Sequence, residues 1–364
     1  MKFVIMAGGV GSKLWPISRE DTPKQFSKII SDKSLFQMNV EGLLRKYKPE
    51  DIFVSITEAY VHFVREQAPE IPEENYIIEP NLHKDTGPAS GYAMLKVAQR
   101  YPNEVVMFYV QPVVVRTPVE KYIEMIEGIE NLVNEHNMLV TGGKIPTHPE
   151  VGSDLMKLGK QVKTSNGNIA YIVDNWIDVV QNRMTLEEVT EICTTSTVCL
   201  HTNHYTWNPE GLMNAYKEVR PDWHAILMEI KEVLGTPDEY EKVKKIYAKF
   251  EPGRIELLTR QLFNTQRAIA VILPFQWTHI TTWDDIYRYS DDNGIETEQA
   301  NVLKVESEGN LIRVNDKKLV ALVGVNDMVV VETEDALFIC PRGQVSKIKA
   351  LYDQLKEEKY SRYL

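Results

Sequence analysis

The sequence predicts an α/β protein, with a mixed, mostly parallel sheet covered by helices on both faces and a small β-rich segment at the C-terminal end. Three observations carry that expectation. Short apolar runs alternate with amphipathic stretches through the first two-thirds of the chain, the pattern of βαβ units. A glycine cluster follows the first apolar run, at the strand end where sheets of this kind bind ligands. After Asn293 the chain changes to short β-rich runs separated by Gly, Asn and Asp turns.

Taken in order, "KFVIMA" reads as a strand and "LFQMNVEGLLRKY" as an amphipathic helix. "DIFVSIT", "NYIIEP", "EVVMFYV" and "NMLVTGG" read as further strands. The helices between them are "EAYVHFVREQAPEI", "GPASGYAMLKVAQRY" and "VEKYIEMIEGIENLVNEH". The ligand edge then lies in the loops after Ala7, Ile78, Val110 and Thr141. In the middle, "NGNIAYIVDNWIDVV" reads as two strands, and "MTLEEVTEICTT", "PDWHAILMEIKEVLGT" and "DEYEKVKKIYAKF" as helices. The run from Asn301 to Cys340 is a β-rich appendage, and the segment Lys347–Lys359 closes the chain as a solvated amphipathic helix.

The 364 residues suit one large domain, residues 1–290, with a C-terminal segment, residues 291–364. A net charge of −11 argues against a nucleic-acid partner, so any phosphate binding must come from local features. The three cysteines show neither metal spacing nor an even framework, as expected of thiols in a reducing compartment. The run Phe3–Ala7 is too short for a signal core, and no apolar stretch reaches the roughly 20 residues a membrane span needs. The chain therefore reads as cytoplasmic, with no membrane partner.

"AGGVGSKL" fails two familiar phosphate-loop templates. Ser12 precedes Lys13 where a P-loop has Lys before Ser or Thr, and Leu14 stands where a dinucleotide loop has its third glycine. Gly8, Gly9 and Gly11 could still let backbone N–H groups approach phosphates, or could serve packing alone. Lys13 would face such phosphates, and Lys24, between Pro23 and Gln25, could return from the far side.

The longer string "AGGVGSKLWPISREDTPKQF" closely resembles the opening of the mannose-1-phosphate guanylyltransferases, within the sugar nucleotidyltransferase family. Leu14–Pro16, Ser18, Arg19 and Pro23–Phe26 match that pattern letter for letter, and Lys13 replaces its arginine. The resemblance continues through "EPNLHKDTGPA", "GGKIPTHPEVG", "YTWNPEG" and "LVALVGVNDMVVVETEDALFICPRG", in family order. It implies a Rossmann-like nucleotidyltransferase domain, a β-helix in the C-terminal segment and a homodimer. The reaction it implies joins GTP and mannose 1-phosphate to give GDP-mannose and pyrophosphate, with Mg²⁺ as cofactor. Lys13 and Lys24 would be catalytic, and Gly8, Gly9, Val10, Gly11, Ser12, Glu79, Thr86 and Gly87 would bind nucleotide. Gly152, Arg183, Trp207 and Asn208 would hold the sugar phosphate.

The sequence departs from this family at its metal site. The two positions that carry metal-binding Asp in the family fall on Pro112 and His279, and no Asp or Glu occurs between Val105 and Val119. Proline offers no side-chain ligand, and imidazole suits softer metals better than Mg²⁺. Asp284 and Asp285 read as carboxylates at a helix N-terminus rather than as displaced ligands. Phosphate-facing positive charge persists while acid is lost, which leaves a second expectation open: a nucleotide- or nucleotide-sugar-binding paralogue that has lost turnover. His201 and His204 read as polar lining of the sugar pocket or as strand surface, and a metal reading remains beside these. Trp15 reads either as a platform for a base or as a brace for the loop.

Overall fold

The computed structural model describes every residue except Val10, Gly11, Val110, Gln111, Glu150, Gly152 and Asp316, and the side chain of Ser12. The first half builds four parallel strands from nearly continuous apolar runs: β1 (Lys2–Met6), β2 (Ile52–Thr57), β3 (Tyr76–Glu79) and β4 (Val106–Tyr109). Helices α1 (Leu35–Leu44), α2 (Val61–Gln67) and α3 (Thr86–Arg100) lie between them. α1 starts at a capping box, in which the Ser34 hydroxyl accepts from the Gln37 N–H and the Gln37 side chain accepts from the Ser34 N–H.

β5 (Val114–Thr117) follows β4 after Pro112, which separates what reads in sequence as one apolar stretch. α4 (Val119–His136) ends on Asn137 in the left-handed conformation, and β6 (Leu139–Lys144) returns into the sheet. β7 (Leu155–Val162) and β8 (Ala170–Ile177) form an antiparallel hairpin, followed by α5 (Leu186–Thr195), β9 (Val198–His201) and β10 (His204–Trp207). The stretch expected to hold two strands forms only β8, because the backbone turns at Asp178–Met184, where the Met184 N–H donates to the Val179 carbonyl. Helices α6 (Pro209–Val219), α7 (Pro221–Val233), α8 (Glu239–Tyr247) and α9 (Glu256–Asn264) precede β11 (Ala268–Ile272) and β12 (Gln276–His279).

The main sheet runs β11-β8-β7-β9-β6-β10-β4-β1-β2-β3, and β11 also pairs with β6. Pairing is parallel through β4-β1-β2-β3 and between β6 and β11, and antiparallel elsewhere. The antiparallel share is larger than alternating elements imply, because the β7/β8 hairpin needs no crossover helix. Each face of the sheet carries its own core. One is built around Phe108, Trp207, Tyr216 and Trp223, the other around Phe3, Phe36, Met107 and Ile129.

α10 (Trp283–Asp292) leads to the C-terminal segment. There β13 (Glu298–Gln299), β15 (Leu311–Arg313) and β17 (Met328–Glu332) stack in parallel, as do β14 (Asn301–Val305) and β16 (Leu319–Val323). Gly309 (φ 69°), Gly324 (φ 66°) and Asp327 (φ 54°) turn the corners of these coils in left-handed conformations. The Asn310 side chain joins successive coils, donating to the Val325 carbonyl at 2.9 Å and accepting from the Met328 N–H at 2.9 Å. β18 (Leu337–Pro341) adds an antiparallel edge, and α11 (Ile348–Leu355) closes the chain. α11 is only half solvated, since Ile348, Tyr352 and Leu355 are buried in one core with Leu14, Trp15, Trp283 and Phe338. No helix among the described residues is long and apolar enough to cross a membrane.

Candidate nucleotide site

A cleft of about 670 Å³ opens at the carboxyl ends of β1, β2 and β3 and at the loop after β4. Its size is that of a small-molecule site. Met6, Gly8 and Gly9 line it from the first loop, Thr57 from the end of β2, Glu79 and Pro80 from the end of β3, and Pro112 and Val113 from beyond β4. Lys13, Lys24, Thr86, His279 and Thr281 complete the wall that matters for charge.

The segment Pro23–Phe26 shows how a local sequence builds this wall. Lys24–Phe26 forms a single 3-10 turn, so its side chains point in three directions. Lys24 faces the cleft. Gln25 turns back and donates to the carbonyls of Ala7 (2.8 Å) and Gly9 (2.9 Å), which pins the glycine loop. Phe26 enters the core, stacked on Phe63 with ring centroids 4.9 Å apart. Sequence reasoning missed the part played by Gln25; the run of a charged, a polar and an aromatic residue after a proline is the signal that could have found it.

The loop is braced from outside the cleft. The Trp15 indole N–H donates to the Tyr363 carbonyl at 2.8 Å, its ring meets Phe338 edge-on, and the Trp283 indole N–H donates to the Trp15 carbonyl at 3.0 Å. Arg19 forms a two-pronged pair with Asp335. Trp15 is thus a brace between the loop and the C-terminal segment, buried at 7% exposure and absent from the cleft lining.

Two cations that form no ion pair among the described residues dominate one side of the cleft. No ion pair joins Lys13 or Lys24 to a carboxylate among the described residues. Burial first, and then the neighbouring Lys13 charge, push the Lys24 ammonium down to about 8, with Asp285 opposing. Burial and then Lys24 hold the His279 imidazole down to about 4, so it is neutral at pH 7. Its Nε2 is buried and has no hydrogen-bond partner among the described residues. Glu79 is pushed upward by burial, partly opposed by the Ser55 hydroxyl, which donates to it at 2.5 Å.

The β5/β12 ribbon pairs His279 with Val114, and the Ile280 N–H donates to the Val113 carbonyl at 2.9 Å. Pro112 and His279, the two positions of the missing carboxylates, therefore share one wall of the cleft. The acids nearby are engaged elsewhere. Asp285 accepts from the Thr281 N–H (3.1 Å), the Thr281 hydroxyl (2.8 Å) and the Thr282 N–H (2.8 Å) as part of the α10 cap. Asp284 pairs with Arg342 and Arg288. Asp85 accepts from the Thr86 N–H at 2.7 Å. No group of three or more His, Cys, Asp or Glu that could hold a metal occurs among the described residues. On the wall formed by Pro112 and His279 no carboxylate faces the cleft, so that wall does not fit Mg²⁺, which takes hard oxygen ligands.

Several of the expected site residues lie elsewhere. Gly87 is packed beneath α7: its N–H donates to the Gly253 carbonyl at 2.9 Å, and a Cβ there would sit 2.3 Å from the Trp223 ring. Trp207 is 3% exposed at the foot of the sheet, paired with Val106 at the opposite end of β4 from the cleft. Asn208 caps α6, accepting from the Gly211 N–H at 2.6 Å. Arg183 is exposed on the turn after β8, with a left-handed φ of 50°, and does not line the cleft. Val10, Gly11 and Gly152 lie outside the described residues, as does the side chain of Ser12. His201 and His204 are buried structural groups. His201 Nε2 lies 3.0 Å from the Thr141 hydroxyl, and His204 bridges the Thr202 hydroxyl (2.8 Å) and the Arg116 guanidinium (3.2 Å).

Gly8, Gly9, Lys13 and Lys24 at the head of such a sheet form a cleft suited to phosphate groups. Residues 2–162 match the nucleotidyl transferase family model, and residues 300–355 match the MannoseP isomerase/GMP-like beta-helix domain. The chain thus carries a nucleotidyl transferase domain followed by a beta-helix domain of that description, and it resembles the mannose-1-phosphate guanylyltransferases over nearly its whole length. It is 27% identical to mannose-1-phosphate guanylyltransferases of Escherichia coli and Klebsiella pneumoniae, over 99% of this chain and 75% of each relative. Its fold is shared with a solved mannose-1-phosphate geranyltransferase from Thermus thermophilus, at a TM-score of 0.80 and 20% identity, over 98% of this chain and 99% of that one.

Proposed function

We propose that the cleft binds GTP and GDP-mannose, and that the reaction it is built around is transfer of GMP to mannose 1-phosphate. A phosphate oxygen of the sugar 1-phosphate attacks the α-phosphorus of GTP, the bond to the β-phosphate breaks, and pyrophosphate leaves. Such a transfer asks the protein mainly for positioning and charge neutralisation. The observation that carries the reading is the convergence of Lys13 and Lys24 on one cleft beside the glycine loop, with neither lysine paired to an acid among the described residues. Lys13 and Lys24 are the proposed catalytic residues, with Gly8, Gly9, Glu79 and Thr86 lining the nucleotide site. The homodimer implied by the resemblance belongs to the same proposal, and sedimentation velocity tests it.

A specific observation favours a second reading, binding without turnover. Pro112 and His279 occupy the wall where metal-holding carboxylates are expected. Loss of one well-placed charge stabiliser costs about 100- to 1,000-fold in rate. Pyrophosphate release from GTP plus mannose 1-phosphate, run with Mg²⁺, Mn²⁺ or Co²⁺ beside calorimetry of GTP and GDP-mannose, separates the two. Release supports the transferase; binding of both nucleotides without release supports the binder; no binding of either sinks both.

A further inference from the structure

The family departure at Pro112 and His279 removes acid, and what the structure puts there changes the sign of the wall. Two carboxylates near Lys13 and Lys24 would offset the lysines when the cleft is empty and hold a cation when it is full. Here the wall presents the Pro112 ring and a buried imidazole nitrogen with no partner among the described residues. The imidazole is held in place on one side by Trp277, whose ring stacks on it with centroids 5.6 Å apart and planes 24° apart. The acids that could restore a metal are engaged: Asp285 accepts three hydrogen bonds in the α10 cap, and Asp284 is paired with two arginines. Glu79 accepts from Ser55. Asp85 accepts from the Thr86 N–H. Among the described residues, the wall of Pro112 and His279 therefore has two unpaired ammonium groups beside it and a hydrogen-bonding nitrogen without a partner, and it offers no carboxylate to a divalent ion.

Resting on the reading of the cleft as a nucleotide site, we propose that it takes up the phosphates of a nucleoside di- or triphosphate without a divalent cation. Lys13 and Lys24 meet the phosphate charge directly, and a shift of the His279 ring brings its Nε2–H, buried in the empty cleft, onto a phosphate oxygen from the wall where family members hold metal. The geometry favours this because an unpaired ammonium in a half-closed cleft gains more from a phosphate than an exposed one does. The Nε2 atom, otherwise orphaned, gains its missing partner in the same step. A metal–nucleotide complex brings its own positive charge toward two lysines and meets no carboxylate on the wall of Pro112 and His279.

The test is calorimetric titration of the full chain with GTP and with GDP, in EDTA and in excess MgCl₂. The expected result is binding in EDTA, with Mg²⁺ leaving the affinity unchanged or weaker. Lys24→Gln should weaken binding in EDTA by about tenfold or more, the scale of one lost charge-assisted hydrogen bond. His279→Asp should weaken it similarly in EDTA and recover with Mg²⁺, a reversal that simple loss of packing cannot produce. Circular dichroism of both variants shows that they are folded. Wild-type binding that disappears in EDTA and returns with Mg²⁺ overturns metal-free capture while leaving the nucleotide site standing. Absence of binding in both conditions overturns the site and the inference together.

Discussion

Lys24 carries the clearest chemical signature at the scale of single residues. Its ammonium is held near 8 by burial and by Lys13, so in the empty protein it loses its charge as pH rises through that value. A bound phosphate favours the charged form and pulls the proton back. GTP affinity should therefore fall as pH rises from about 7 to 9, and binding at pH 8 should take up a fraction of a proton. Calorimetry in two buffers of different ionisation enthalpy measures this. A pH-independent affinity with no proton uptake would place Lys24 outside the phosphate site.

Pro112 and His279 make the second residue-scale prediction. Pro112→Asp together with His279→Asp restores carboxylates to the shared wall and should raise Mg²⁺-dependent pyrophosphate release at least about tenfold, given the usual size of such effects. A folded double variant that binds GTP and shows no gain would mean that these positions are not what limits turnover.

Among the elements, the 3-10 turn Lys24–Phe26 and helix α3 show how neighbouring residues divide their tasks. In the turn, one side chain faces ligand, the next holds the glycine loop and the third anchors the core. In α3, Thr86 lines the cleft while its hydroxyl accepts from the Ile255 N–H at 3.0 Å, and Gly87 lets Trp223 pack against the helix. Gly87→Ala places a Cβ 2.3 Å from the Trp223 ring and 2.8 Å from the Gly253 carbonyl. Overpacking of this kind should cost about 1–3 kcal/mol, read as a lower urea midpoint. An unchanged midpoint would mean that α3 and α7 can separate freely, against the burial of Trp223 at 0% exposure.

At the scale of the whole molecule, acid stability follows from three buried imidazoles. Burial is the main cause at each: His201 is held down to about 3, His279 to about 4, and His204 well below the ordinary range. The unfolded chain binds protons at these residues below about pH 6.5, while the folded chain refuses them. Their contribution to stability is therefore complete above about pH 6.5 and is lost progressively as pH falls through about 4. Each histidine can add up to about 1.4 kcal/mol per pH unit to the slope. Thermal unfolding between about pH 7 and 4.5 should show a steep fall in Tm, made shallower by His279→Gln. An identical slope in that variant would show that His279 titrates normally in the folded protein.

The sequence alone determined the strand–helix alternation of the first half, because parallel strands buried on both faces must be apolar throughout and the helices between them amphipathic. It also carried the resemblance to the mannose-1-phosphate guanylyltransferases, the change to coiled β-structure after Asn293, and the two lysines, Lys13 and Lys24, that line one cleft. Strands β5, β7, β9, β10, β11 and β12 were not legible. β7 carries polar residues on a half-exposed face, and β11 and β12 sit in a stretch whose partners lie far away in sequence. Only the tertiary structure decided that Trp15 braces the loop against the C-terminal segment, since that role depends on Tyr363 and Phe338, at the other end of the chain. Likewise, only the fold turned Gly87, Trp207 and Asn208 away from the cleft, because local letters do not reveal which end of a strand or which face of a helix points inward. And only the β5/β12 ribbon brought Pro112 and His279 onto one wall, which makes two separate substitutions a single change in the charge of the site.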